Sequence, residues 1–266
     1  MNKVNHNDEL VIILAAGIGS RLKPLTDDLP KCLVPVSGKP LLSLSTAQLK
    51  KAGLENILVI GGHKCEMLEK EGYNVVQNSE YQNSNMVWSL TKAIDYIKNA
   101  SCEYVLVHYG DIIVSHRNIL LLRERGEEFS LLADKRWKEL WQLRMTYYLS
   151  DVETFKTKQN KLIELGKKVN DENDVEAQYM GIIRIETKLL YQMLSEFKAE
   201  VDENPGDSQK LRNMFMTDFI QKYIDRGGIV TPIYINGGWL ELDTLDDLSL
   251  YESSKGDTYF KEILSG

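Results

Sequence analysis

The first residues whose types and spacing could do chemistry lie between Leu10 and Leu42, in the stretch LVIILAAGIGSRLKPLTDDLPKCLVPVSGKPLL. Ala15, Ala16, Gly17, Gly19 and Ser20 strip the backbone of bulk where an apolar, β-branched run ends. Backbone that bare approaches a phosphate chain closely and donates several N–H groups to it. Arg21, Lys23, Lys31 and Lys39 follow as a cluster of cations, with prolines beside them that stiffen the loop. A guanidinium at Arg21 suits a fork across two phosphate oxygens, whereas Lys31 supplies a point charge. The set predicts a nucleoside triphosphate site. The third glycine of a dinucleotide fingerprint is missing and no G-K-[ST] follows, so neither a Rossmann cofactor loop nor a P-loop is expected.

The elements that must position this loop read as an α/β fold. Apolar runs at 10–15, 56–60, 73–77 and 104–108 predict strands, and residues 41–52, 66–70 and 85–98 predict helices between them. Such alternation indicates a mostly parallel, doubly wound sheet, in which ligands gather at the carboxyl ends of strands. Gly17, Gly61, Asn78 and Asp111 fall there. The second half is less regular. Strands are expected at 129–133, 179–185 and 229–235, a hairpin region across 147–165, and helices at 189–197 and 211–225 around a polar loop at 200–209. A single domain over residues 1–266 is the economical organisation: a nucleotide half at about 9–133, an inserted acceptor lobe at about 134–218 and a return to the core at about 219–250.

The full motif, A-A-G-x-G-S-R-L-x-P-L-T from Ala15, then Pro30-Lys31 and V-P-V-x-G-K-P-L-L from Val34, resembles the N-terminal signature of the nucleotidyltransferases that activate sugar phosphates and phosphocholine. The resemblance implies a Rossmann-like nucleotidyltransferase core. A phosphorylated acceptor would attack the α-phosphorus of a nucleoside triphosphate, with pyrophosphate leaving. That chemistry needs cations, backbone N–H groups and normally Mg²⁺. It needs no strong general base, because a phosphate nucleophile is already ionised near neutrality. By the resemblance Arg21 and Lys31 are the catalytic cations, with Lys31 near the α-phosphate.

Carboxylates for the metal are expected at two places. Asp111 ends Tyr109-Gly110-Asp111 directly after an apolar strand, where hard oxygen ligands suit Mg²⁺, with a turn or N-cap as the alternative. In Trp239-Leu240-Glu241-Leu242-Asp243 the two acidic residues are spaced to share one face of a strand. The family pairs an early Asp with a late acidic residue, which makes Asp243 the second ligand and Glu241 a weaker third. Asp243-Thr244 also reads as the cap of a following helix. For the base, Gln77, Asn78, Asn83, Asn85 and Ser89 lie in a segment resembling the N-x-x-Y-x-x-x-N-x-x-x-S-L run of cytidylyltransferases, which favours CTP.

The acceptor half resembles the phosphocholine cytidylyltransferase-like group more than the sugar-activating one, carrying Lys167-Lys168-Val169 where the latter has E-K-P. Trp137, Trp141, Arg144, Lys167, Lys168, Tyr179 and Asp218 are the acceptor-binding candidates. Trp137, Trp141 and Tyr179 could wall a quaternary ammonium through cation–π contact, although tryptophans four apart on a helix also read as core. A zwitterionic amino-acid phosphate or aminoalkyl phosphonate suits the same mix of Arg, Asp and Trp.

A net charge of −7 over 266 residues argues against a general nucleic-acid binder. No apolar run approaches the length of a membrane span, and the polar N-terminus lacks a signal-peptide core, so a cytoplasmic protein is expected. Cys32, Cys65 and Cys102 form no C-x-x-C pair and read as free thiols; His6, His63, His108 and His116 have no metal spacing. The resulting reading is a cytidylyltransferase acting on CTP and a small phosphorylated or phosphonate acceptor, with a homodimer left open. The alternatives are a sugar-1-phosphate nucleotidyltransferase and a non-catalytic nucleotide-binding regulator.

Overall fold

Leu10–Ala15 has no polar position and is buried along its whole length. Ile12 and Leu14 face one hydrophobic cluster, Val11 and Ile13 another, as in a strand covered by helices on both faces. The structure, a computed structural model, describes residues 9–169 and 171–265; His6 and most of the polar N-terminal segment lie outside them. Seven strands form the main sheet, in the order Thr231–Ile235, Phe129–Asp134, Gln178–Glu186, Tyr104–Tyr109, Leu10–Ala15, Ile57–Gly61, Asn74–Gln77. Gln178–Glu186 runs antiparallel to both neighbours, and the other pairings are parallel. The architecture is therefore the expected mostly parallel, doubly wound α/β sheet.

Several elements differ from expectation. The helix foreseen over 85–98 is two, Met86–Thr91 and Ile94–Asn99, because a turn at Lys92–Ala93 brings Ile97 onto the cluster that already holds Val87 and Leu90. The helix foreseen over 211–225 is likewise split into Ser208–Arg212 and Met216–Asp225. Thr187–Glu203 runs into the supposed polar loop, since Val201 reaches the core. The hairpin is present as Glu153–Lys158 with Lys161–Lys168, buried through Phe155, Leu162 and Leu165.

One unforeseen pairing matters most for the site. Ile112–Val114 and Trp239–Glu241 form a two-stranded antiparallel ribbon, with Glu241 opposite Ile112. Leu242 N–H then donates to the Asp111 carbonyl at 2.9 Å. This ribbon carries Asp111 and Asp243 to the carboxyl end of the central strands.

Candidate active site

The loop after Leu10–Ala15 forms one wall of a cavity lined by Gly17, Gly19, Ser20, Arg21, Lys31 and Asp111, with Ala15 at its base. Gly19 sits at φ 68°, and a Cβ there would lie 2.9 Å from the Lys31 Cβ. Thr26 Oγ1 locks this turn by donating to the Gly19 carbonyl at 2.8 Å. Gly19→Ala is therefore expected to cost about 1–2 kcal/mol of backbone strain and to weaken nucleotide binding by shifting Lys31. Urea denaturation and calorimetric titration with CTP would check both effects.

Lys31 is the hub. Its Nζ donates to Asp111 Oδ2 at 2.8 Å and to Asp243 Oδ1 at 2.7 Å. Burial opposes its charge, but the carboxylates of Asp111, Asp243 and Glu241 outweigh it and raise the ammonium above the usual lysine range. Arg21 pairs with the other oxygen of Asp243 while its side chain stays largely exposed at the cavity mouth. Neighbouring Cys32 is buried, and burial pushes its thiol up to about 12, so it is a packing residue and not a nucleophile.

The acidic side of this centre suits a hard divalent cation. Asp111 Oδ1 is buried without a hydrogen-bond partner, an acceptor left for a ligand. Among the described residues no three His, Cys, Asp or Glu side chains converge as a ready ligand set, because Lys31 stands between the two aspartates. Burial, with Asp111 and Asp243 nearby, pushes the Glu241 carboxyl up against the pull of Arg144.

Arg144 is corrected from acceptor ligand to support. Nη1 donates to Glu241 Oε2 at 2.7 Å, while Nε and Nη2 fork across Asp247 at 2.8 and 3.1 Å. Asp247 Oδ2 in turn accepts the N–H groups of Asp243 and Thr244, both at 2.9 Å. Thr244 caps the following helix, Leu245–Glu252, and forms a reciprocal capping box with Asp247. Arg144, itself buried, thus orients the turn that presents Asp243.

The segment foreseen as the base reader divides. Asn85 and Ser89 line a small recess beside the loop, together with Ala16, Tyr81 and Ser84. Asn78 does not line it; fully buried, it donates to Ser84 Oγ and Ser89 Oγ and accepts from the Glu80 N–H, holding the recess from behind. Gln77 and Asn83 are exposed and line neither cavity, being turned out by the strand end and by a 3₁₀ turn. His108, buried in the central strand, has its ring nitrogens on Tyr109 O and Ser45 Oγ, and burial lowers it to about 4.

A second cavity, of about 200 Å³, adjoins the first and shares Arg21, Met86 and Asp243 with it. Tyr179 and Trp141 contribute to its wall. Trp137 does not: it packs against Trp141 and Tyr148 with ring centroids at 6.5 and 6.3 Å, so the tryptophan pair belongs mainly to the core. Lys167 and Lys168 are exposed outside the cavity, and Lys167 pairs with Glu164, because the hairpin edge points them to solvent. Asp218 is exposed in the first turn of Met216–Asp225, while its neighbour Thr217 lines the cavity. The cavity also takes Asp151, Glu153 and Gln178, which lie in segments resembling the phosphocholine cytidylyltransferase-like group but are not among the acceptor candidates, and Phe215, which carries no signal. Asp151 and Glu153 did carry a signal, an alternating D-x-E ahead of a strand.

Residues 11–135 match the MobA-like NTP transferase domain. The chain is 34% identical to the CTP:phosphoglutamine cytidylyltransferase of Campylobacter jejuni over 246 residues, covering 90% of this chain and 97% of that one. It is 39% identical to the choline-phosphate cytidylyltransferase of Streptococcus pneumoniae over 93 residues, 34% of this chain and 41% of that one. In fold it is similar to the inositol-1-phosphate CTP transferase from T. maritima, with a TM-score of 0.74, 20% identity and 98% of both chains covered. A glycine-and-cation loop at the head of a parallel sheet, an aspartate pair bridged by a lysine, and a full-length relative of this kind lead to one assignment: the chain belongs to the nucleotidyltransferase (NTP transferase) family.

Proposed function

We propose that this protein is a cytidylyltransferase that transfers CMP from CTP to a small phosphorylated or phosphonate acceptor and releases pyrophosphate. The observation that carries this reading is the junction of the two cavities at Arg21, Met86 and Asp243. A triphosphate in the glycine-loop cavity and an acceptor in its neighbour would meet there with their reacting atoms together. In this reading Lys31 exchanges its carboxylate contacts for α-phosphate oxygens, and Arg21 clamps the outer phosphates. Backbone N–H groups of the Gly17–Ser20 turn carry the remaining charge. The recess at Asn85 and Ser89 offers amide and hydroxyl groups suited to the edge of a pyrimidine, consistent with the CTP named in the full-length relative.

Asp111 and Asp243 would hold Mg²⁺, with Glu241 as a third carboxylate. When bound, that ion neutralises phosphate charge and polarises the phosphorus centre. The side chains themselves do the positioning: Arg144 and Asp247 fix the Asp243 turn, and the Ile112–Val114 ribbon fixes Asp111. Residues within about 134–218 supply the acceptor side, not as a lobe apart from the core, since Gln178–Glu186 is an inner strand of the main sheet. The three free cysteines support a reducing, cytoplasmic setting.

The test is pyrophosphate release from each of four nucleoside triphosphates with phosphocholine, phosphoethanolamine, 2-aminoethylphosphonate, amino-acid phosphates and sugar-1-phosphates. Turnover is expected with CTP and an acceptor that is not a sugar phosphate, lost on chelation by EDTA and restored by Mg²⁺. Tight CTP binding with no turnover for any pair would overturn the assignment.

A further inference from the structure

Four carboxylates line the acceptor cavity against a single arginine: Asp151, Glu153, Glu241 and Asp243 against Arg21. Two of the four are already ion-paired, Glu241 with Arg144 and Asp243 with Lys31 and Arg21. Among the described residues neither Asp151 nor Glu153 forms an ion pair, although both face the cavity. Glu153 receives only a long contact from Thr217 Oγ1, at 3.5 Å. Among the described residues the Glu153 carboxylate is therefore a cavity-lining acid with no cation paired to it, and Asp151 lies near it.

An independent observation lies in the same wall. Gln178 is 6% exposed, lines the cavity, and its Oε1 is buried with no hydrogen-bond partner. A buried carbonyl oxygen without a donor costs free energy until a ligand supplies one. Behind it Tyr179 and Tyr109 pack edge to face at 5.9 Å, giving an aromatic floor. Gly181, at φ 87°, lies so close to the Tyr109 ring that a Cβ there would come within 2.5 Å of it, which fixes that floor in place.

We infer that the acceptor carries a primary ammonium group, seated between the Glu153 carboxylate and Gln178 Oε1 with Asp151 beside them, while its phosphate or phosphonate end lies toward Arg21. This inference rests on the functional reading above and deepens it by naming the acceptor's chemistry. The choice of a primary over a quaternary ammonium follows from donor count. A primary ammonium brings three N–H donors for the orphan amide oxygen and the two carboxylates, whereas a quaternary ammonium brings none and leaves them unpaired. A quaternary group would be held by ring faces alone, and the Trp141 and Tyr179 rings on the cavity wall supply no donor to Gln178 Oε1 or Glu153. Glu153 and Gln178 are thus specificity-determining residues.

Three acceptors that differ in the amine alone provide the test: O-phosphoethanolamine, phosphocholine and ethyl phosphate, each with CTP and Mg²⁺, alongside the wider panel above. Any amine-bearing acceptor of that panel is expected to exceed its quaternary or neutral counterpart by about 100-fold or more in kcat/KM. Glu153→Gln should raise the KM for the primary amine about tenfold or more, leaving the KM for CTP unchanged. Gln178→Leu should narrow the gap between the primary and quaternary acceptors. Equal turnover of the three acceptors, or a Glu153→Gln effect of the same size on all of them, would overturn the inference and leave the cytidylyltransferase reading standing. No turnover with any acceptor would instead sink that reading.

Discussion

Replacing Lys31 with alanine is expected to lower kcat for pyrophosphate release by about 10³-fold while the protein stays folded. Among the described residues the lysine is the one side chain bonded to both Asp111 and Asp243, so it controls the charge at the junction of the two cavities. In the proposed arrangement its loss removes the cation nearest the α-phosphate and leaves the two carboxylates without their shared partner. The fold should survive because both aspartates line an open cavity, where bulk solvent and counter-ions can take the place of the ammonium. Single-turnover kinetics with CTP and circular dichroism on the same preparation separate the two effects. Activity retained above about a tenth of wild type would remove Lys31 from the reacting centre; a collapsed spectrum would make it a structural residue.

Arg144→Leu is expected to produce the largest loss of stability, about 3–5 kcal/mol, because it strands the buried Asp247 carboxylate and the Glu241 carboxylate without their shared cation. For a chain of this size that corresponds to a fall in Tm of roughly 10 °C. Asp247 also holds the Asp243 and Thr244 amides, so turnover should fall well below the temperature at which the variant melts. Arg144→Lys keeps the charge but not the fork, and should lie between the two. Urea denaturation with parallel activity measurements reads this directly, and an unchanged midpoint would mean that the network contributes no net stability.

Much of the donor half was legible because its signals are local. A strand buried on both faces shows as an unbroken apolar run, and a phosphate loop shows as small residues followed by cations, all within one short stretch. Asp111 was legible for the same reason, since it directly follows such a strand. The helix breaks at Lys92–Ala93 and before Met216 were not legible. Apolar periodicity continues across both, and only packing against the sheet decides where the turn falls.

The acceptor half shows the limit most clearly. Trp137, Arg144, Lys167 and Lys168 have the right chemistry for an acceptor site, yet they lie in the core, beneath the site or on the outer edge of a hairpin. Asp151, Glu153 and Gln178 do line the cavity, from segments separated in sequence whose local patterns do not show that they converge.

The amino-acid sequence by itself determined the class of fold, the bare glycine loop and the cations and carboxylates proposed for a phosphoryl centre. Each of these depends on backbone freedom, side-chain charge and apolar periodicity over a few neighbouring residues. The tertiary structure alone decided that Lys31 bridges Asp111 and Asp243, that Arg144 holds the Asp243 turn through Asp247, and which residues line the second cavity. Those facts depend on the Ile112–Val114 and Trp239–Glu241 register and on the seating of the hairpin. A register is a contest between distant segments for the same hydrogen bonds and the same core volume, and no local pattern encodes its outcome.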